Sequence, residues 1–153
     1  MRDIDATIRR LRTTIFGLGD SPTESPGLRS AVLAVLAEVE PVLSCRPQVD
    51  FVGPVDTATD PALVEEVLAV VREAATNSGK HACATQLLVR VQVGDRLLQV
   101  TVQDDGVGID PAASRRSGLA NLRRRAAVRG GALVVDVPDG GGTRLCWSVP
   151  LPG

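Results

Sequence analysis

Apolar residues recur at Ile4, Ile8, Leu11, Ile15 and Leu18, in steps of 4, 3, 4 and 3, with Arg9, Arg10 and Arg12 between them. Such a heptad-like stripe predicts a helix over about 5–18 whose partner is another helix. Residues 19–27 (Gly-Asp-Ser-Pro-Thr-Glu-Ser-Pro-Gly) break the pattern and read as a linker. A second helix is expected from Leu28 to Leu43. Val49–Val55 alternates between Pro and Gly flanks, as an edge strand would. Asp60-Pro61 supplies an N-cap followed by a proline at the first helical position, opening a helix that should run to about His81. Two period-2 runs follow, Gln86–Val93 and Leu97–Gln103. Gly94-Asp95-Arg96 lies between them and predicts a hairpin in which the glycine supplies the positive φ. Residues 104–117 mix acids, Gly, Pro and Arg without periodicity and read as a loop, whereas Gly118–Arg129 reads as helical. A last hairpin is expected from Ala132–Val137 and Thr143–Val149 around Pro138–Gly142. This order predicts an α/β protein with a mixed sheet covered by helices on one face.

Composition narrows the class. A chain of 153 residues is one domain, or one domain with a stub, and its 44% hydrophobic content is enough for a core. Only 2% of residues are aromatic, so that core must be built from Val, Leu and Ala. Seventeen Lys and Arg against eighteen Asp and Glu leave no overall field directed at nucleic acid or a membrane surface. No apolar run reaches the roughly 18 residues of a membrane span, and no signal-peptide apolar region opens the chain. Cys45, Cys83 and Cys146 are odd in number and lack C-x-x-C spacing, which suits reduced thiols in the cytoplasm.

On a wheel at about 100° per residue, Val64, Val67, Leu68, Val70, Val71, Ala74 and Ala75 fill one side of the helix after Asp60. Glu73, Asn77, Lys80 and His81 fall on one polar stripe roughly 100° wide. Such a stripe is ordinarily a solvated face. A carboxylate, an amide, an ammonium and an imidazole on successive turns are also the groups that meet a metal–phosphate pair. Mg²⁺ takes oxygen ligands, few of them from protein, and the Asn77 carbonyl suits it without adding charge. Lys80 and His81 stand where phosphate oxygens would be reached.

The second candidate cluster follows the strand ending at Gln103. Asp104-Asp105-Gly106-Val107-Gly108-Ile109-Asp110 has ordinary turn chemistry. An ionised carboxylate only accepts hydrogen bonds, so Asp104 at a strand end can also receive the amino group of adenine, while the guanine carbonyl would be repelled. Gly106 and Gly108 would let backbone approach a purine ring. A P-loop is excluded by the missing Lys-Ser/Thr, and an EF-hand by its missing acid spacing. Ser117-Gly118-Leu119 opens the next helix, whose free N–H groups favour a phosphate chain. Arg123, Arg124, Arg125 and Arg129 fit a solvated basic face. Gly140-Gly141-Gly142-Thr143 fits a plain hairpin turn somewhat better than a ligand contact.

With these residues in place, the chain resembles the catalytic, ATP-binding domain of sensor histidine kinases, in the superfamily that also holds Hsp90, gyrase and the mismatch-repair ATPases. It looks like the branch paired with NarL-type response regulators, and within it like actinobacterial haem-based redox or hypoxia sensors. Residues 72–82 match that branch's N box, 104–109 its first glycine box, and 117–126 its compact second glycine box and following helix. Gly140–Thr143 and Val149–Pro152 match its C-terminal end, so the likeness covers about residues 45–151 in the family's order. Thr7–Phe16 resembles the end of the second dimerisation helix, which makes 1–18 a dimerisation stub, 19–27 a linker and 28–153 the ATP-binding domain. The first dimerisation helix and its histidine are missing. His81, the sole histidine, belongs to the N box, so the resemblance implies a chain unable to phosphorylate itself.

The resemblance implies a two-layer Bergerat-type sandwich, a mixed five-stranded sheet covered on one face by about three helices. It implies ATP and Mg²⁺ as ligands. Asp104 would receive the adenine amino group and Asn77 would hold Mg²⁺. Glu73, the catalytic candidate, would complete the metal environment through water or polarise the site. Lys80 and His81 would contact phosphates, Gly106 and Gly108 would line the base, Gly118 and Leu119 would shape the lid end, and Thr143 would support the adenine-side network. In water-splitting relatives the N-box Glu is a general base. In kinases the proton acceptor is expected beside the phosphoacceptor histidine. Implied partners are the kinase's own dimerisation domain, within a full-length homodimer, and a NarL-type response regulator, with neither nucleic acid nor membrane. Only seven residues separate Asp110 from Gly118, the phenylalanine box is absent, and Ser117 stands where many members have Gly. That short lid implies weak ATP binding by the isolated domain. An anti-sigma-type serine kinase and a degenerate nucleotide-binding or interaction module are the alternatives. The N-terminal stripe argues against the first; Glu73, Asn77 and Asp104 argue against the second.

Overall fold

The computed structural model describes residues 27–43, 45–79, 84–107 and 118–151. The helix expected over 5–18, the linker up to Pro26 and positions 108–117 of the glycine-rich loop lie outside the described residues. Helix α1 spans Leu28–Val39 and buries Leu28, Val32, Val35, Leu36 and Val39. It stops short of the expected Leu43 because Pro41 cannot continue the backbone ladder, and a 3₁₀ turn over Glu40–Val42 takes its place. Strand β1 is Gln48–Val52. Helix α2 spans Pro61–Asn77, opened by Asp60, whose side chain accepts from the Leu63 N–H at 2.7 Å. Residues 78–79 then form a wider, π-type turn. Strands β2 (Leu87–Gly94) and β3 (Leu97–Asp104) precede helix α3 (Leu119–Val128), and β4 (Ala132–Asp136) and β5 (Thr143–Pro150) close the chain.

The strands form one five-stranded sheet in the order β1-β2-β3-β5-β4, with β1 parallel to β2 and every other pair antiparallel. Its register explains the alternation in the sequence. Val89 faces Val102, Val91 faces Val100, and Val100 faces Trp147, which in turn faces Leu133. All are buried, while their neighbours Gln99, Thr101, Arg144, Cys146 and Ser148 lie on the other, more open face. One buried face and one polar face is the pattern of an antiparallel sheet covered on a single side. The cover is α1, α2 and α3, so the fold is an α/β sandwich with a mixed five-stranded sheet under three helices. Among the described residues no helix is long and apolar enough to cross a membrane.

The β2–β3 turn corrects one expectation. Gly94 pairs with Leu97, leaving a two-residue loop, and positive φ falls on Asp95 (52°) and Arg96 (59°). Positive φ at both central residues is the type I′ geometry that matches strand twist. Strand twist thus places the left-handed conformation on two non-glycine residues.

Candidate functional site

Asp104 ends β3 and is only 6% exposed, so its carboxylate must be satisfied within the protein. The amides of Gly106 (3.0 Å) and Thr143 (3.2 Å) donate to Oδ1, and the Ser78 hydroxyl donates to Oδ2 at 2.6 Å. These donors come from the following turn, from β5 and from the end of α2. Thr143 is there because β5 pairs with β3 in the register Asp104↔Thr143. The approach leaves no room beside it: a Cβ on Gly142 would lie 2.0 Å from the Asp104 carbonyl oxygen, and Gly142 has φ +87°. The glycine tail, expected to be a plain turn, thus has one member that lets β5 pack against the acid.

Around Asp104 opens a depression of about 300 Å³, counting the space continuous with solvent. It is lined by Ala74, Asn77, Ser78, Val102, Asp104, Leu119, Thr143 and Leu145. Val102, Leu145 and Leu119 give it apolar walls, and Asn77 and Asp104 its polar groups. Thr143 Oγ1 is buried and has no hydrogen-bond partner among the described residues. A buried hydroxyl without a partner is uncommon in a folded protein and leaves a donor and an acceptor for a ligand.

The opposite end of the polar stripe meets α3. Glu73 is half-buried, and its Oε1 accepts from the Gly118 N–H at 3.1 Å, the N-cap position of α3. A Cβ at Gly118 would fall 2.3 Å from the Glu73 carboxyl carbon, so this helix start and the acid meet only through a glycine. Glu73 and Asn77 both present oxygen, the hard donor class that Mg²⁺ takes.

Of the residues singled out from the sequence, Asn77, Asp104, Leu119 and Thr143 line one pocket. Gly106 bonds to Asp104, and Glu73 to Gly118. Lys80, His81 and Gly108 lie outside the described residues. Ser78 had no role in the sequence reading. On a regular wheel it falls about 140° from Glu73, off the polar stripe and on the buried side with Val67, Val71 and Ala74; its N–H still bonds back to the Ala74 and Ala75 carbonyls, so the core face of α2 carries it to Asp104. Asp105 was also missed. It accepts from the Thr85 and Gln86 amides at 2.7 and 2.9 Å and from the Thr85 hydroxyl. The Thr85 hydroxyl first, with the two amides, holds its carboxyl below the usual 3.8. The alternation Leu98, Val100, Val102 carries Asp104 to the buried face of β3, whereas nothing in the sequence marks Asp105 as the clamp on the chain before β2. Cys45 is nearby, and burial together with the Asp105 and Asp104 carboxylates pushes its thiol up, so it is no activated nucleophile.

Residues 63–153 match the family described as histidine kinase-, DNA gyrase B- and HSP90-like ATPase. The chain is 33% identical over 155 residues to the sensor histidine kinase NarS of Mycobacterium tuberculosis, across 97% of this chain and 35% of that protein. It is 39% identical over 90 residues to an uncharacterized sensor-like histidine kinase of Chloroflexus aurantiacus, across 54% of this chain and 15% of that one. Among solved structures, the blue-light activated histidine kinase of Erythrobacter litoralis matches with a TM-score of 0.62 at 25% identity, over 81% of this chain and 40% of its own. The chain therefore spans well under half the length of each of these relatives. With its sheet, its helical cover and this match over more than half its length, the chain belongs to the histidine kinase-, DNA gyrase B- and HSP90-like ATPase family.

Proposed function

We propose that the pocket at Asp104 binds Mg·ATP and presents the γ-phosphoryl group to a histidine on the kinase's dimerisation domain, in a cytoplasmic two-component system with a NarL-type response regulator. The observation that carries this is the buried Asp104 carboxylate. Three fixed donors hold it in an apolar-walled pocket, which is also lined by Thr143, whose buried hydroxyl has no partner among the described residues. An acceptor-only group so placed selects a base that offers an N–H, as adenine does. Val102, Leu145 and Leu119 suit the faces of the ring, and the Gly106 amide ties the adjoining turn to Asp104.

Asn77, with Glu73 acting through water, would hold Mg²⁺, which when bound supplies charge neutralisation for the phosphates. Lys80 and His81 are assigned to phosphate oxygens, Gly108 to the base, and Gly118 and Leu119 to the lid end. Phosphoryl transfer asks mostly for positioning and electrostatic stabilisation. No nucleophile–base pair is needed in this domain, since the acceptor histidine comes from outside it.

Calorimetry with a non-hydrolysable ATP analogue tests the assignment. The wild-type chain should bind, Asp104→Asn should lose at least about tenfold in affinity, and Asn77→Ala should bind with no response to Mg²⁺. Wild-type titrations from both variants would overturn it. Phosphate transfer to an added dimerisation fragment bearing its histidine separates a kinase from a nucleotide-binding module that has lost catalysis.

A further inference from the structure

We infer that Ser78 is a specificity-determining positioning residue, whose hydroxyl fixes the Asp104 carboxylate so that a single acceptor site is left to meet a 6-amino purine. The inference rests on the proposed adenine contact of Asp104 and adds to it the group that makes that contact selective. A carboxylate offers about four acceptor positions. At Asp104 two of them, on Oδ1, are taken by the Gly106 and Thr143 amides, and a third, on Oδ2, by Ser78 Oγ at 2.6 Å. Among the described residues, one site on Oδ2 remains. The two backbone donors hold one oxygen from the β5 side, and Ser78 holds the other from the α2 side, so the carboxylate plane cannot rotate.

The bond is short and nearly dry, since Ser78 and Asp104 are each 6% exposed. Hydrogen bonds to an ionised acceptor are shorter and stronger than neutral ones. Ser78 reaches Asp104 from the buried side of α2, one position after Asn77, which lines the same pocket. The C-terminal end of α2 therefore serves the metal-side amide and the base-side carboxylate together.

Without the hydroxyl, Oδ2 has two open acceptor sites and the carboxylate is pinned from one side only. A 6-oxo purine carries its N–H at N1, next to a carbonyl. A fixed Oδ2 that sits opposite the 6-position meets that carbonyl and rejects it. A carboxylate free to turn can move to the N1–H instead. Discrimination between 6-amino and 6-oxo bases is therefore the property that Ser78 controls, separately from overall affinity.

The test is calorimetry on the full chain with a non-hydrolysable ATP analogue and with inosine triphosphate, alongside thermal melting. Ser78→Ala should lower the affinity for the ATP analogue about tenfold, narrow the ratio between the two nucleotides by a similar factor, and keep a cooperative melt. Ser78→Thr, which retains the hydroxyl, should keep the wild-type ratio. A wild-type ratio in Ser78→Ala overturns the inference, as does an equal loss for both nucleotides or a narrowed ratio in a folded Ser78→Thr. Asp104→Asn separates the two levels. If it leaves the ratio intact, the adenine contact itself is wrong. If it abolishes the ratio while Ser78→Ala does not, only the role of Ser78 fails.

Discussion

At the scale of single residues, the site depends on how closely glycines approach Asp104 and Glu73. Gly142 stands at φ +87° with the Asp104 carbonyl oxygen 2.0 Å from where a Cβ would be. Gly142→Ala adds the left-handed cost of about 1–2 kcal/mol to that collision. It should therefore lower stability by more than about 1 kcal/mol in urea denaturation and weaken nucleotide binding by displacing β5 from Asp104. Asp105 offers a pH test. Its folded value is depressed below 3.8, so its contribution is present above that pH and is lost as pH falls through the lower folded value. Asp105→Asn should flatten the acid limb of the stability curve, and its difference from wild type should shrink below pH 3.8. Stability measured by urea titration from about pH 2 to pH 6 checks this. A difference that grows toward acid would contradict it.

At the scale of elements, α3 must be seated for the pocket to have its Leu119 wall. The helix is short, and it is tied down at three points along its length. Gly118 N–H meets Glu73 at its start, the Trp147 indole N–H donates to the Leu122 carbonyl at 3.0 Å in its middle, and Arg129 pairs with Glu66 just past its end. Trp147 is fully buried and crosses the sheet between Val100 and Leu133. Trp147→Phe keeps most of the ring surface but removes the indole donor from a buried carbonyl that retains its helical partner. It should cost about 0.5–1.5 kcal/mol for the lost bond, read as a lower urea midpoint with an unchanged slope. The elements themselves were largely legible in the hydrophobic pattern, because period-2 runs and the Asp60-Pro61 cap are local signals. Their ends were less so. The α1 stop at Val39 answers to Pro41, and the π-type turn after Asn77 lies where Gly79 approaches the Val42 carbonyl in the 3₁₀ turn after α1. The I′ turn at Asp95-Arg96 answers to strand twist, which no single residue type announces.

At the scale of the whole molecule, all the chemistry lies at one end of the sheet, where β3 ends, β5 begins and α2 closes. Residues far apart in the chain meet there: Asn77 and Ser78 from α2, Asp104 from β3, Leu119 from α3 and Thr143 from β5. The sheet's polar face takes no part in the site, and its Arg90–Asp50 and Arg144–Asp136 pairs are exposed surface bridges of little energetic weight. The sequence by itself determined the α/β class, the order of elements, the core stripe of α2 and the candidate acids and glycines, since these follow from periodicity and residue chemistry. Tertiary structure alone decided that Asp105 clamps the chain before β2. It also decided that Gly142 serves packing against Asp104, and that Ser78, at the end of the buried side of α2, holds the carboxylate. Each of these depends on a contact between segments distant in sequence, and local patterning carries no record of which distant atom will stand opposite.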